Sequence, residues 1–205
     1  QLFSPDITFN TIQNLSETHW KTVKSEEIKK VIAACAGLYL EAVSEVQETT
    51  PNATIKVKLE AINRSNVKMN LNTIQTYPSS MNTMEITELG TNKLITKTIE
   101  LELPNDINYS NAYWLNETGT DGMYRVDDMK KIGIPDVIRQ TKVTFLVEIN
   151  GTVIPFERNI IYKYNDDVKG EVYQPLDIVP VATSTIAEKV YIFNNDRSKT
   201  VTVKV

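Results

Sequence analysis

The run VTFLVEINGTVIPFE, residues 143–157, alternates apolar and polar residues on both sides of an Asn-Gly pair. A period of two gathers side chains on one face of a strand, and Asn150-Gly151 supplies two residues that tolerate positive φ. The stretch therefore predicts a β-hairpin with a type I′ turn, pairing Val147 and Ile149 with Val153 and Ile154. Similar signals recur along the chain. Ile55, Val57, Leu59 and Ala61 alternate before the polar turn Asn63-Arg64-Ser65-Asn66, and Val67, Met69 and Leu71 follow it. A weaker signal covers Met84 to Thr87, TKTIELELP puts Ile99, Leu101 and Leu103 on one face, and NIIYKY reads as another strand. Strands and polar turns at this spacing predict a mainly β chain, with an immunoglobulin-like sandwich over residues 49–166.

The segment before it has a different period. Residues 1–24 are polar and aperiodic and read as an extended arm. Ser25 offers a helix N-cap with Glu26 and Glu27 in the first turn. Ile28, Val31, Ile32, Cys35, Leu38, Tyr39, Ala42, Val43 and Val46 then recur at helical spacing, which predicts one amphipathic helix from Ser25 to Val46. Arm and helix make a first unit over residues 1–48. Ala34, Ala36 and Leu40 widen the stripe on a flank that one neighbouring sandwich would not reach, so Leu40 and Ala36 are expected to form a docking surface for another domain. Residues 167–205 read as a junction and the opening strands of a second, incomplete β module: YQPLDIVPV carries prolines that confine its strand to an edge, and KTVTVKV is strand-like alternation. A chain starting at Gln1 and ending in such alternation is expected to be a piece of a longer protein.

Bulk properties exclude several classes. A net charge of -4 without a basic cluster lacks the footprint of a nucleic-acid or anionic-lipid binder. No apolar run is long enough to span a bilayer. Cys35 is the sole cysteine, so no intrachain disulfide is expected, and its place on the apolar stripe suits a small buried hydrophobe. Asn-x-Ser/Thr triplets at Asn14, Asn52, Asn63, Asn108, Asn116 and Asn150 are ordinary in a chain this rich in Asn and Thr.

No residue pattern declares a reaction. His19, the only histidine, lies in the polar arm and has no partners for a zinc cluster or a nucleophilic triad. GTDG, residues 119–122, reads as a turn. Asp127-Asp128 and Asp166-Asp167 with Glu171 are carboxylate pairs of the kind a glycosidase or calcium site uses, but they lack EF-hand spacing, and Asp-rich surface turns are common. Tyr109, Tyr113, Trp114 and Tyr124 gather in the loop-rich stretch 105–140, and sugars stack on such rings; core or interface anchoring is their other role.

Three strings, IAACAGLYLEA, AYWLNETGTDGMYRVDD with IGIPD after it, and DDVKGEVYQPLDIVP, together resemble the region that follows the catalytic domain in large bacterial members of the PIG-L/LmbE-like deacetylase family. The resemblance implies a non-catalytic accessory region of an exported, periplasmic or extracellular, N-acetyl-sugar deacetylase. The family's His-Pro-Asp-Asp and His-x-x-His zinc motifs are absent here, so zinc is expected only in the upstream catalytic domain. This chain is expected to hold no metal or cofactor and to show no deacetylase activity. Three readings follow: an accessory module docked on that domain, a carbohydrate-binding sandwich using Tyr113, Trp114 and Tyr124, and a hydrolase using its acidic pairs.

Overall fold

The computed structural model describes residues 5–16, 18–79, 82–134, 137–188 and 190–205. In chain order these form α1 (Pro5–Gln13), α2 (Thr18–Cys35), β1 (Leu38–Ser44), β2 (Glu48–Thr49), β3 (Thr54–Asn63), β4 (Met69–Tyr77), β5 (Asn82–Glu88), β6 (Leu94–Glu102), β7 (Lys142–Ile149), β8 (Thr152–Asn159), β9 (Ile161–Asp166), β10 (Gly170–Pro175), β11 (Asp177–Ile178), β12 (Thr185–Ile186) and β13 (Val203–Lys204). A five-stranded sheet has the order β10-β9-β1-β3-β6, and a four-stranded sheet the order β5-β4-β7-β8. Both sheets send side chains into one core. Leu40, Ala42, Val57, Leu59 and Leu101 come from the first sheet, and Met69, Val143, Phe145, Val147, Ile154 and Phe156 from the second. The chain is mainly β, with two sheets packed across a shared apolar layer.

The Asn-Gly signal gives the hairpin between β7 and β8. Asn150 has φ 50° and Gly151 φ 83°, positive at both turn positions as type I′ requires. Val147 faces Ile154, but Ile149 sits opposite Thr152 and Val153 opposite Glu148, so the expected pairing of both residues with Val153 and Ile154 is met by one contact alone. A two-residue loop fixes this register, which leaves Val153 on the outer face. A Cβ on Gly151 would meet nothing within 4 Å, so the whole cost of substitution there is conformational. Gly151→Val is expected to lower stability by about 1 kcal/mol or more. A denaturant midpoint equal to that of the parent chain would rule out the turn.

The largest departure from sequence expectation lies before residue 50. Residues 5–13 are helical instead of an extended arm, and the second helix ends at Cys35, so β1 occupies the segment expected to continue the helix to Val46. Gly37 is the reason. It adopts φ 57°, a left-handed helix end, and an added Cβ would lie 2.9 Å from the Arg64 Cβ. Ser25 is accordingly no N-cap; it is buried in the middle of α2 and accepts a hydrogen bond from Gln13 Nε2 at 2.9 Å. The stripe that α2 buries is Ser25, Ile28, Ile32 and Ala36, joined by Phe9 of α1. Val31 and Cys35 fall off it and are exposed, so Cys35 is not the buried hydrophobe expected. The helical pair closes the sandwich end that carries the β7–β8 turn, where Ile32 and Ala36 line a recess with Ile149 and Ile154.

The unit boundaries move with these elements. Leu38, Leu40 and Ala42 of β1 lie inside the five-stranded sheet, with Leu40 opposite Ala61. At the other end, DDVKGEVYQPL is the β9–β10 hairpin. Asp166 Oδ1 accepts the amides of Val168 and Lys169 at 2.9 and 2.8 Å, Gly170 takes φ 77°, and pairing stops at Pro175. Leu176 and Ile178 are core residues, so the chain leaves the sandwich only after β11. Beyond it, β12 and β13 form a short antiparallel ladder, and no described side chain from Pro180 onward is buried. No helix of the described residues is long and apolar enough to cross a membrane.

Candidate functional site

The 104–140 connection between β6 and β7 lies at the sandwich end opposite the helical pair. Its path is set by a few anchors. Ile107 is buried, the Ser110 amide donates to the Ile178 carbonyl at 2.8 Å, and the Ser110 Oγ accepts the Ile178 amide at 2.9 Å. Arg139 closes the far end with an ion pair to Asp177. Between the anchors the backbone is held by local turns. Tyr113–Leu115 form one 3-10 turn, and Met129–Lys131 form another whose Lys130 amide is capped by Asp128 Oδ1 at 3.0 Å. Thr120 and Met123 exchange backbone hydrogen bonds of 2.9 and 3.4 Å around Asp121-Gly122, which confirms GTDG as a turn. Gly119 is required there, because a Cβ would come within 2.6 Å of the Met123 carbonyl.

Two clefts open on this scaffold. One, of about 490 Å³, has Trp114, Leu115, Met123 and Tyr124 as apolar walls and Glu117, Thr120 and Asp121 as polar groups. The other, of about 480 Å³, is lined by Tyr109, Tyr113, Asn108, Asn111 and Asn116 together with charged groups around Arg125. Leu115 and Glu117 line both and form the ridge between them. Successive residues of a 3-10 turn point about 120° apart. Tyr113 and Trp114 therefore meet edge to face, with centroids 4.9 Å apart at 85°, and serve different clefts. The structure brings Trp114 and Tyr124 to one cleft and places Tyr113 with Tyr109 in the other, so the expected trio does not form one platform. Sequence reading passed over Glu117, Leu115 and Met123; the polar string LNETGTDG between two aromatic groups was the signal available for them.

The other candidates fall out differently. Leu40 is 5% exposed and Ala36 7% exposed. The docking surface expected on them is absent because Leu40 belongs to a sheet, and Ala36 continues the buried stripe of α2. The acidic pairs are engaged within their own turns. Arg125 grips Asp127 through Nε and Nη2 at 2.9 and 3.1 Å, which holds that carboxyl below the usual range. Asp128 caps the second 3-10 turn, and the two turn amides on Asp166 lower its pKa in the same way. Glu171 accepts from Tyr173 and pairs with Lys163 at 3.3 Å. Pro135 and Asp136 of the IGIPD string lie outside the described residues.

His19 lies exposed on α2 with its ring 5.2 Å from that of Trp20. Among the described residues no three His, Cys, Asp or Glu side chains are grouped to hold a metal. The donor set of this chain does not fit the zinc site of a PIG-L/LmbE-like deacetylase. No family model, curated protein or solved structure matches the chain.

Proposed function

We propose that this chain is a non-catalytic, immunoglobulin-like accessory region that binds carbohydrate through the 104–140 connection, and that it serves a PIG-L/LmbE-like deacetylase domain lying upstream in an exported protein. The Trp114–Tyr124 cleft carries the binding part of the reading. It joins an exposed ring, Tyr124, and a half-buried one, Trp114, to hydroxyl and carboxylate acceptors, which is how a sugar is held: C–H faces on rings, hydroxyls on polar groups. Strand order supports the immunoglobulin-like assignment, since β1-β3-β6 and β5-β4-β7-β8 reproduce the interleaved connection of two sheets in that architecture. The deacetylase context, periplasmic or extracellular location and assignment of zinc to the upstream domain rest on the three resembling strings.

Titration of the intact chain with amino-sugar oligomers tests the binding reading. Trp114→Ala and Tyr124→Ala are each expected to weaken binding about tenfold, ~1.4 kcal/mol, with the melting temperature unchanged because both rings lie outside the core. An absence of saturable binding, or an affinity in both variants equal to that of the parent chain, would overturn it.

A further inference from the structure

The two clefts differ in charge, and the difference selects a ligand. Among the described residues the Trp114–Tyr124 cleft is lined by the carboxylates of Glu117 and Asp121 and by no basic side chain. Arg125, the nearest cation in sequence, lines the neighbouring cleft, where Asp127 takes its two hydrogen bonds and Glu117 on the ridge adds only a weaker attraction, so Asp121 has no cation beside it in the cleft. Trp114 and Tyr124 add two aromatic rings, whose negative faces attract an ammonium group. We infer that this cleft selects glycans bearing free, protonated amino groups over their N-acetylated counterparts. The inference rests on the carbohydrate-binding reading above and sharpens it: a neutral N-acetyl sugar would satisfy the rings but offer no charge to Glu117 and Asp121, whereas a protonated amine can pair with them. A module with this preference would hold the product of N-deacetylation, keeping a polymer attached where deacetylation has already begun.

The test compares glucosamine oligomers with N-acetylglucosamine oligomers of equal length, by calorimetry on the intact chain at a pH where the amines are protonated. Glucosamine oligomers are expected to bind at least tenfold tighter, and raising the pH until the amines lose their protons is expected to erase the difference. Glu117→Gln with Asp121→Asn is expected to bring the two affinities together, whereas Trp114→Ala weakens both. An oligolysine of equal charge is expected to bind at least tenfold more weakly than the glucosamine oligomer. Equal or tighter binding of the N-acetylated oligomer would overturn the selectivity and leave the carbohydrate reading standing. Oligolysine binding as tightly as glucosamine oligomers would overturn it also, by showing that the cleft reads charge alone. Failure of both sugars to bind would remove the carbohydrate reading and this inference together.

Discussion

Lys163→Met is expected to destabilise the fold by about 3 kcal/mol at neutral pH, the low end of the range for removing one partner of a buried ion pair. On the face of the five-stranded sheet turned away from the core, Glu41 lies opposite Glu60, a like-charge pairing that is unfavourable unless each is neutralised. Lys58 takes Glu60 at 2.6 Å, and Lys163 takes Glu41 at 2.7 Å. Glu41 is buried, so removing Lys163 strands a charge beside a second carboxylate. The variant's deficit should shrink in acid. Acid neutralises stranded carboxylates, and the repulsion between the two glutamates goes with their charge. In the parent chain the hydrogen bond to Glu41 raises Lys163 above the ordinary lysine range, and burial, followed by a hydrogen bond to Glu41, pushes the Tyr39 phenol up to about 12. Both contributions are intact below the unfolded pKa values and disappear as pH rises through the folded ones. Denaturant titrations at mildly acidic and mildly alkaline pH check this: an equal deficit at both would show that Glu41 is not left charged, and Glu41→Gln added to Lys163→Met should recover most of the loss.

Asn63→Ala is expected to cost about 2–4 kcal/mol, because it leaves several buried backbone groups without partners. Asn63 is 1% exposed at the end of β3. Its Nδ2 donates to the carbonyls of Val67 at 2.8 Å and Leu89 at 3.0 Å, and its Oδ1 accepts from the amide and hydroxyl of Ser65, both at 2.9 Å. Those partners lie on the two crossings between sheets, β3 to β4 and β5 to β6, so one side chain ties both corners. Asn63→Asp, which keeps the acceptor and loses the donor, should be destabilised as well, since its carboxylate would face two carbonyl oxygens. A midpoint shift below about 1 kcal/mol in Asn63→Ala would mean that the crossings hold without it. The same burial makes Asn63, alone among the six Asn-x-Ser/Thr triplets, inaccessible to a modifying enzyme.

The strands were legible because each carries its own evidence. Ile55 to Ala61 and Ile99 to Leu103 alternate, and the Asn-Gly turn needs no tertiary information. The segment Leu38–Ser44 was not legible from apolar spacing, since Leu38, Tyr39, Ala42 and Val43 fit a helix while Leu38, Leu40 and Ala42 equally fit a strand. Gly37 was the local signal that separates the two, and a positive φ there decides the matter. Which loop aromatics share a cleft was hidden for another reason. Tyr113 and Trp114 are adjacent in sequence, yet one 3-10 turn sends them to different sides of a ridge.

The parallel pairing of β1 with β9 bears on how the protein is made. Val43 meets Ile161, so the first strand waits for more than a hundred residues before its second neighbour exists. During synthesis α1 and α2 can form at once, because their bonds are local, and Phe9 joins their buried stripe early, but the part of its cover that Ile149 and Ile154 supply arrives only with the β7–β8 hairpin. The sandwich therefore closes late, around its last long strands, and until then the growing chain carries an open sheet edge, a surface of the kind that favours wrong pairing.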